Sequence, residues 1–201
     1  MRYPASGPRA FEIPFAVNNL KAGSLLDVGQ TSPPVLRLLS KSRSVTVVDV
    51  QRIKKISGIK YVIEDIRKAE LGHYNNIWLI STLEHIGLVA YGQKSPADDP
   101  ANEQFKVLKR LMSHLKPGGR LILTVPCGTP EPSPKFALYY TIEMINRIKD
   151  NFNVTKEHYI TSNKGGLHKW FRCEKNKLRP YREPGLLPGA VGGVVMMVID
   201  G

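Results

Sequence analysis

Ser24-Leu25-Leu26-Asp27-Val28-Gly29-Gln30-Thr31-Ser32-Pro33 decides how the rest of the chain is read. Leu25, Leu26 and Val28 make a short apolar run around Asp27, the pattern of a buried strand. Gly29 permits a turn that a Cβ would obstruct. Ser32 suits an N-cap and Pro33 the first helical position. Strand, tight turn and helix start together let a backbone approach a nucleotide-like ligand.

Working outward, similar units recur. Pro33 to about Lys41 carries Val35, Leu36, Leu38 and Leu39 and reads as a helix. Ser44–Val50 is rich in β-branched residues and reads as a second strand ending in Asp49. Lys60–Glu64, followed by Asp65, is a third strand, and Asn76–Ser81 a fourth. Ala101–Lys116 places Phe105, Leu108, Leu111, Met112 and Leu115 on one helical face, and Lys116-Pro117-Gly118-Gly119 stops it. Arg120–Val125 is a fifth strand closed by Pro126. A Pro-rich loop from Thr129 to Pro134 precedes a helix expected over 135–150. Lys169–Cys173 and Val194–Ile199 read as two last strands with no helix between them, so they are expected to pair as a hairpin. Upstream, Phe11–Leu20 is expected to pack beneath the sheet as a helix or turn.

Strands alternating with helices argue for an α/β fold. The expectation is a Rossmann-like, doubly wound, mostly parallel sheet of seven strands with an antiparallel C-terminal strand. One domain is expected over 1–201, with an N-terminal extension (1–20), a ligand-binding core (24–126) and an acceptor-side helix and strand pair (127–201). Ligands of such sheets bind outside the carboxyl ends of the strands. That rule selects Asp27 to Gly29, Asp49, Asp65 and Ser81 to His85.

Bulk properties narrow the function classes. At 201 residues, 42% hydrophobic and 23% charged, the chain has ordinary globular composition. It has no apolar run of about 18 residues or more, so no transmembrane helix is expected. Pro4, Pro8, Glu12 and Pro14 do not resemble a secretory signal. Cys127 and Cys173 form no CxxC pair, which implies neither a disulfide framework nor zinc, and a reducing cytoplasm is expected. The five histidines show no metal-binding spacing. The net charge is +12, and a basic window from Asn163 to Arg182 holds Lys164, Lys169, Arg172, Lys175, Lys177, Arg179 and Arg182 against Glu174 alone. Such a window can attract nucleic acid, a membrane or an acidic substrate, or be a solvated face. Trp170, Phe171 and Tyr181 interleave with it, as in single-strand nucleic-acid binding, although the first two also suit a strand packed on the sheet.

Asp49 lies at a spacing from Gly29 that suits an acid accepting both ribose hydroxyls, and a nicotinamide dinucleotide fold uses the same spacing. The turn lacks G-x-G-x-x-G and a Walker Lys-Ser/Thr, which argues against a dinucleotide loop and an ATP-cradling P-loop.

Leu25-Leu26-Asp27-Val28-Gly29, Val47-Val48-Asp49, Glu64-Asp65-Ile66, Ile80-Ser81-Thr82-Leu83-Glu84-His85 and Leu115-Lys116-Pro117-Gly118-Gly119-Arg120-Leu121-Ile122-Leu123-Thr124-Val125-Pro126 together resemble a class I S-adenosylmethionine-dependent methyltransferase. The STLEHIGL segment (81–88) further resembles a small branch of methyltransferase-like proteins. The resemblance spans about residues 24 to 126. It implies S-adenosylmethionine as cofactor and methyl transfer to an unidentified acceptor, anionic if the basic window lines its site. It also implies roles: Asp27 and Gly29 at the methionine end, Asp49 on the ribose, Val50 or Gln51 over the adenine, Asp65 and Ile66 at the adenine edge, and Ser81 and Thr82 near the sulfonium. Glu84 and His85 are the candidate catalytic residues, either as general base or, for Glu84, as an amine-binding group. Each also has a plain structural reading, as a turn histidine bonded to backbone and a first-turn acid.

The opening stretch departs from the family pattern E/D-x-G-x-G-x-G, because Thr31 and Pro33 stand where glycines are usual. Prolines lack the amide donor, so the Thr31 and Ser32 hydroxyls would have to substitute. A lost hydrogen bond to a charged group costs about 1.5–3 kcal/mol. This departure supports an alternative reading as a non-catalytic binding or partner subunit, and the basic window supports another as an RNA-directed methyltransferase.

Overall fold

The computed structural model describes residues 7–89, 91, 96–128, 136–162, 170–177 and 193–201. The helices are α1 (Arg9–Asn18), α2 (Pro33–Leu39), α3 (Pro100–Ser113) and α4 (Ile142–Asn151). The strands are β1 (Leu25–Val28), β2 (Val45–Asp49), β3 (Lys60–Ile63), β4 (Tyr74–Ile80), β5 (Leu115–Cys127), β6 (Asn153–Ser162), β7 (Trp170–Cys173) and β8 (Gly193–Asp200). They form one sheet in the order β3-β2-β1-β4-β5-β8-β6-β7. From β3 to β5 neighbours run parallel, and β8, β6 and β7 are antiparallel. From β1 the chain first builds outward to β2 and β3, then returns to place β4 on the other side. The switch in strand order therefore lies between β1 and β4, where ligands of such sheets bind.

Strand alternation divides the core into two layers. Leu26, Val28, Ile77, Leu79, Leu121 and Leu123 face α3 and α4. Leu25, Val47, Trp78, Ile80 and Ile122 face α1 and α2. The α3 stripe of Phe105, Leu108 and Leu111 is buried, and Asp99 caps its first turn by accepting from the Asn102 amide at 3.0 Å. Thr141 caps α4 in the same way through the Met144 amide.

The sheet has eight strands rather than seven, and the C-terminal part differs from the expected hairpin. β6 lies between β7 and β8 and pairs with both. Its sequence, Asn153 to Ser162, begins with exposed Asn153, Thr155 and Lys156, and only Tyr159 to Ser162 is buried. Weak alternation in the first half hides its strand character. The helix before β5 ends at Ser113, earlier than expected. Pairing then steps from Tyr74↔Leu115 to Asn76↔Arg120, so Lys116–Gly119 bulges out of the ladder. The helix expected over 135–150 begins at Ile142. Thr129 to Pro134, along with Lys164, His168, Lys169, Arg179, Tyr181 and Arg182, lies outside the described residues. No helix among the described residues is long and apolar enough to cross a membrane.

Asn76 locks the entrance to β1. It is fully buried, accepts from the Lys21 amide at 2.8 Å, and donates to the Lys21 and Ser24 carbonyls at 3.0 and 3.2 Å. Asn76→Ala leaves these groups without partners. The expected cost is about 2–4 kcal/mol, read as a lowered urea midpoint with an unchanged m-value.

Candidate functional site

A cleft opens at the carboxyl ends of β1, β2, β3 and β4. Its cavity holds about 210 Å³ and is partly open to solvent. Val28 and Gly29 form its floor at the end of β1. Val48, Asp49, Val50 and Gln51 line it from β2, and Glu64, Asp65 and Ile66 from the end of β3. Ser81, Thr82, His85, Ile86 and Tyr91 line it beyond β4, and Arg9 enters from α1. Gly29, Asp49, Val50, Asp65, Ile66, Ser81, Thr82 and His85 are thus brought together. Asp27, Thr31 and Glu84 are not part of this lining.

Asp27 lies behind the floor and is fully buried. It sits opposite Trp78 in the β1–β4 register, and the Trp78 indole donates to Oδ1 at 2.5 Å. The Thr31 hydroxyl donates to the same oxygen at 2.7 Å, and the Thr31 amide donates to Oδ2 at 3.0 Å. Burial pushes the Asp27 carboxyl up to about 6 despite these donors. The amide and hydroxyl of Thr31 are therefore committed to Asp27. Ser32 makes no side-chain cap bond to α2. Gly29 holds φ +88°, and a Cβ there would stand 2.7 Å from the Thr82 methyl, so both the turn and the approach of Thr82 require glycine.

Asp49, at the end of β2, accepts from the Gln51 amide at 2.8 Å. Partial burial raises its carboxyl above the usual value, against the lowering effect of the Gln51 and Val50 amides. Asp65 is gripped by Arg67, with Nε and Nη2 donating to Oδ2 at 2.9 and 2.5 Å. Burial pushes Asp65 up, but the Arg67 bonds and charge outweigh it, and the carboxyl is held below the usual value.

The β4 end is unusual. Ser81 has φ +45°, rare for a residue with a Cβ. Its amide donates to the Thr124 carbonyl at 3.0 Å and to the Thr124 Oγ1 at 2.9 Å. Its hydroxyl donates to Oε1 of Glu12 at 2.5 Å, and the Thr124 hydroxyl donates to the same oxygen at 2.5 Å. Glu12, fully buried on α1, thus clamps the ends of β4 and β5. Arg9, one turn away, donates from Nη1 to the Ile80 carbonyl at 2.6 Å and lies 3.8 Å from Glu12 Oε2. Arg9 and Glu12 carry no recognisable motif. The one signal available in the sequence is a lone acid within the apolar run Phe11–Val17, which a solvated helix would not need to bury.

His85 Nδ1 lies 2.6 Å from the Phe136 carbonyl, which requires the proton on Nδ1. Burial lowers the pKa of His85, against the raising effect of that bond, so the ring is neutral and Nε2 carries the lone pair. Glu84 is buried, and its Oε2 makes no hydrogen bond among the described residues. Burial first, with the charge of Glu12 adding to it, pushes Glu84 up to about 8. At that value it is mostly protonated at neutral pH, and it lies outside the cleft lining. Among the described residues no group of three or more His, Cys, Asp or Glu is placed to hold a metal. Arg172, Lys175 and Lys177, the described cations of the basic window, line no part of this cleft.

No family model matches the sequence, and no curated protein is similar to it in sequence. Solved structures are similar in fold. A SAM-dependent methyltransferase from Methanosarcina mazei is 14% identical, with a TM-score of 0.59, over 93% of this chain and 96% of that one. The N-methyltransferase NodS from Bradyrhizobium japonicum WM9, in complex with S-adenosylhomocysteine, is 12% identical with a TM-score of 0.58 over 97% of this chain and 88% of NodS. The 1,6-didemethyltoxoflavin-N1-methyltransferase of Burkholderia thailandensis, with S-adenosylhomocysteine bound, is 12% identical with a TM-score of 0.57 over 88% of this chain and 70% of that one. At these identities the likeness shows the fold alone: the chain has the Rossmann-like methyltransferase fold.

The Glu84 carboxyl yields a pH test. An acid whose pKa is raised by folding binds its proton more tightly in the folded state. It imposes no penalty below its unfolded value near 4.5 and costs stability as pH climbs through 8. Glu84→Gln, which mimics the neutral acid, is expected to leave stability at pH 4 nearly unchanged. At pH 9 it should raise stability by on the order of 5 kcal/mol, measured by denaturant unfolding of both proteins at both pH values.

Proposed function

We propose that this chain is an S-adenosylmethionine-dependent methyltransferase whose cofactor lies along the switch-point cleft. The observation that carries the reading is Asp49, a carboxylate at the end of β2 that borders the cleft beside the glycine turn. The lining fits an adenosine joined to an amino acid, with acids at the β2 and β3 end, apolar Val28, Val48, Val50, Ile66 and Ile86 between, and a cation from α1 at the other end. When bound, the cofactor supplies a methyl group on a positively charged sulfur.

In this reading Asp49 accepts the ribose hydroxyls and Val50 or Gln51 covers one adenine face. Ile66, whose amide makes no hydrogen bond among the described residues, offers a donor to a ring nitrogen. Asp65 borders the adenine edge, although Arg67 already engages both of its oxygens. Gly29 keeps the floor low, and Ser81 and Thr82 edge the site where the acceptor must arrive. The chief contribution of the protein is alignment of the acceptor. Where the acceptor nitrogen or oxygen carries a proton, His85 takes it at Nε2. Glu84 is not assigned to proton transfer, because it is buried outside the cleft lining. The acceptor is assigned no negative charge, because the described cations of the basic window stand outside the cleft.

The non-catalytic reading draws support from the turn, where Thr31 is spent on Asp27 and Pro33 and Pro34 offer no amide. Calorimetric titration of the purified chain with S-adenosylmethionine separates the two. The expected outcome is saturable binding, weakened roughly tenfold or more by Asp49→Ala through loss of hydrogen bonds to a charged group. Absence of binding at millimolar cofactor would overturn the enzyme reading, and an affinity indifferent to Asp49→Ala would overturn the cofactor's orientation.

A further inference from the structure

We propose that Arg9 of α1 binds the α-carboxylate of the cofactor, in place of the donors that Thr31, Pro33 and Pro34 do not offer. The inference rests on the cofactor assignment above and identifies the residue that holds its charged end.

Arg9 is the only Lys or Arg among the described residues lining the cleft. It is placed at the β4 side, since its Nη1 donates to the carbonyl of Ile80, the last residue of β4. Asp49 ends β2, and β1 alone separates β2 from β4 in the sheet. Two strand spacings, about 10 Å, therefore separate the end of β2, where Asp49 stands, from the end of β4, where Arg9 is anchored. That is a span an extended amino-acid arm can bridge across the Gly29 floor.

The usual alternative donors are spent or missing. The Thr31 amide and hydroxyl both go to Asp27. Pro33 and Pro34 have no N–H, and α2 has only 7 residues. A carboxylate placed at this turn finds the Thr31 donors engaged and no amide at Pro33 or Pro34, and the cation from α1 adds the positive charge that the turn does not carry.

Arg9 is also pre-oriented for the task. One nitrogen is fixed on the Ile80 carbonyl and stands 3.8 Å from Glu12, while Glu12 is held by Ser81 and Thr124. Its Nε and Nη2 make no hydrogen bond among the described residues, and 42% of the side chain is exposed. A half-exposed guanidinium with two nitrogens available and a fixed third suits a planar carboxylate. Glu12 is then a positioning residue that sets both Arg9 and Ser81.

The test compares two ligands that share the adenosine and sulfur and differ in the charged arm. S-adenosylhomocysteine carries the α-carboxylate, and 5′-methylthioadenosine lacks it. Both are titrated calorimetrically into the full chain as wild type and as Arg9→Ala. The expected result is a loss of at least tenfold for S-adenosylhomocysteine, with methylthioadenosine affinity changed by less than twofold, which also shows that the variant is folded. Should Arg9→Ala fail to fold, Arg9→Gln removes the charge while keeping a donor for the Ile80 carbonyl and is read in the same way. Equal losses for both ligands, or unchanged S-adenosylhomocysteine binding, overturn the proposal; the latter would turn the guanidinium toward an anionic acceptor instead. Wild-type protein that binds neither ligand overturns the cofactor assignment itself, and this inference with it.

Discussion

A single buried carboxylate, Asp27, organises the centre of this molecule. It sits in the middle of the sheet, between β1 and β4, on the face covered by α1 and α2. Three donors converge on it: the Trp78 indole from the neighbouring strand, and the amide and hydroxyl of Thr31 from the following turn. A buried polar group is tolerable only when its hydrogen bonds are made, so the acid, the tryptophan and the threonine form one unit. That unit fixes where the chain leaves β1, and Gly29, in the left-handed region, directs it beneath Thr82. The arrangement has a chemical consequence. The amide and hydroxyl of Thr31, which tie the turn internally, are not available to a ligand, so a cation reaching the turn from elsewhere gains importance for a ligand's charged end.

α1 is the element able to meet it. A helix docked beneath the ends of β4 and β5 would ordinarily be held by apolar contacts alone, as Ile13, Phe15 and Ala16 provide. Glu12 adds a polar clamp on Ser81 and Thr124. Ser81 is held at positive φ, a conformation costing on the order of 1–2 kcal/mol for a residue with a Cβ. Two bonds from its amide and one from its hydroxyl oppose that cost. Strain of this kind persists where the surroundings over-determine it, and here it turns the chain sharply at the rim of the cleft.

Much of the fold was legible in the sequence because local and long-range signals agree. Val45–Val48 and Ile77–Ile80 are mostly apolar runs buried on both faces, as parallel strands between two helical layers must be. The candidate residues at strand ends followed from that reading, since topology alone carries Asp49, Asp65, Ser81 and Thr82 to one end of the sheet. Other features depend on tertiary partners. β6 becomes a strand because β8 and β7 flank it, and its charged first half has no alternation to reveal it. The direction in which Asp27 and Thr31 face is decided by Trp78, 51 residues away from Asp27 in the chain. Arg9 and Glu12 lie in a Pro-containing lead without a motif, and only the docking of α1 brings them to the cleft. Glu84 and His85 are adjacent in sequence, yet one is buried behind the wall and the other borders the cleft, a division set by a short 3₁₀ turn.

These placements give the cleft a polarity. Asp49, Glu64 and Asp65 put negative charge at the β2 and β3 end. At the β4 end His85 is neutral and Glu84 is protonated, so the exposed charge there is that of Arg9. Had Glu84 remained ionised, two buried acids would have faced Arg9 together and cancelled its field. By keeping Glu84 neutral, burial leaves Glu12 as the acid beside Arg9, whose Nε and Nη2 make no hydrogen bond among the described residues. A ligand with hydrogen-bond donors at one end and a carboxylate at the other is then favoured in one orientation and disfavoured in the reverse. Alignment of that kind is what methyl transfer requires of a protein, since the reacting carbon must face the acceptor before any proton is moved.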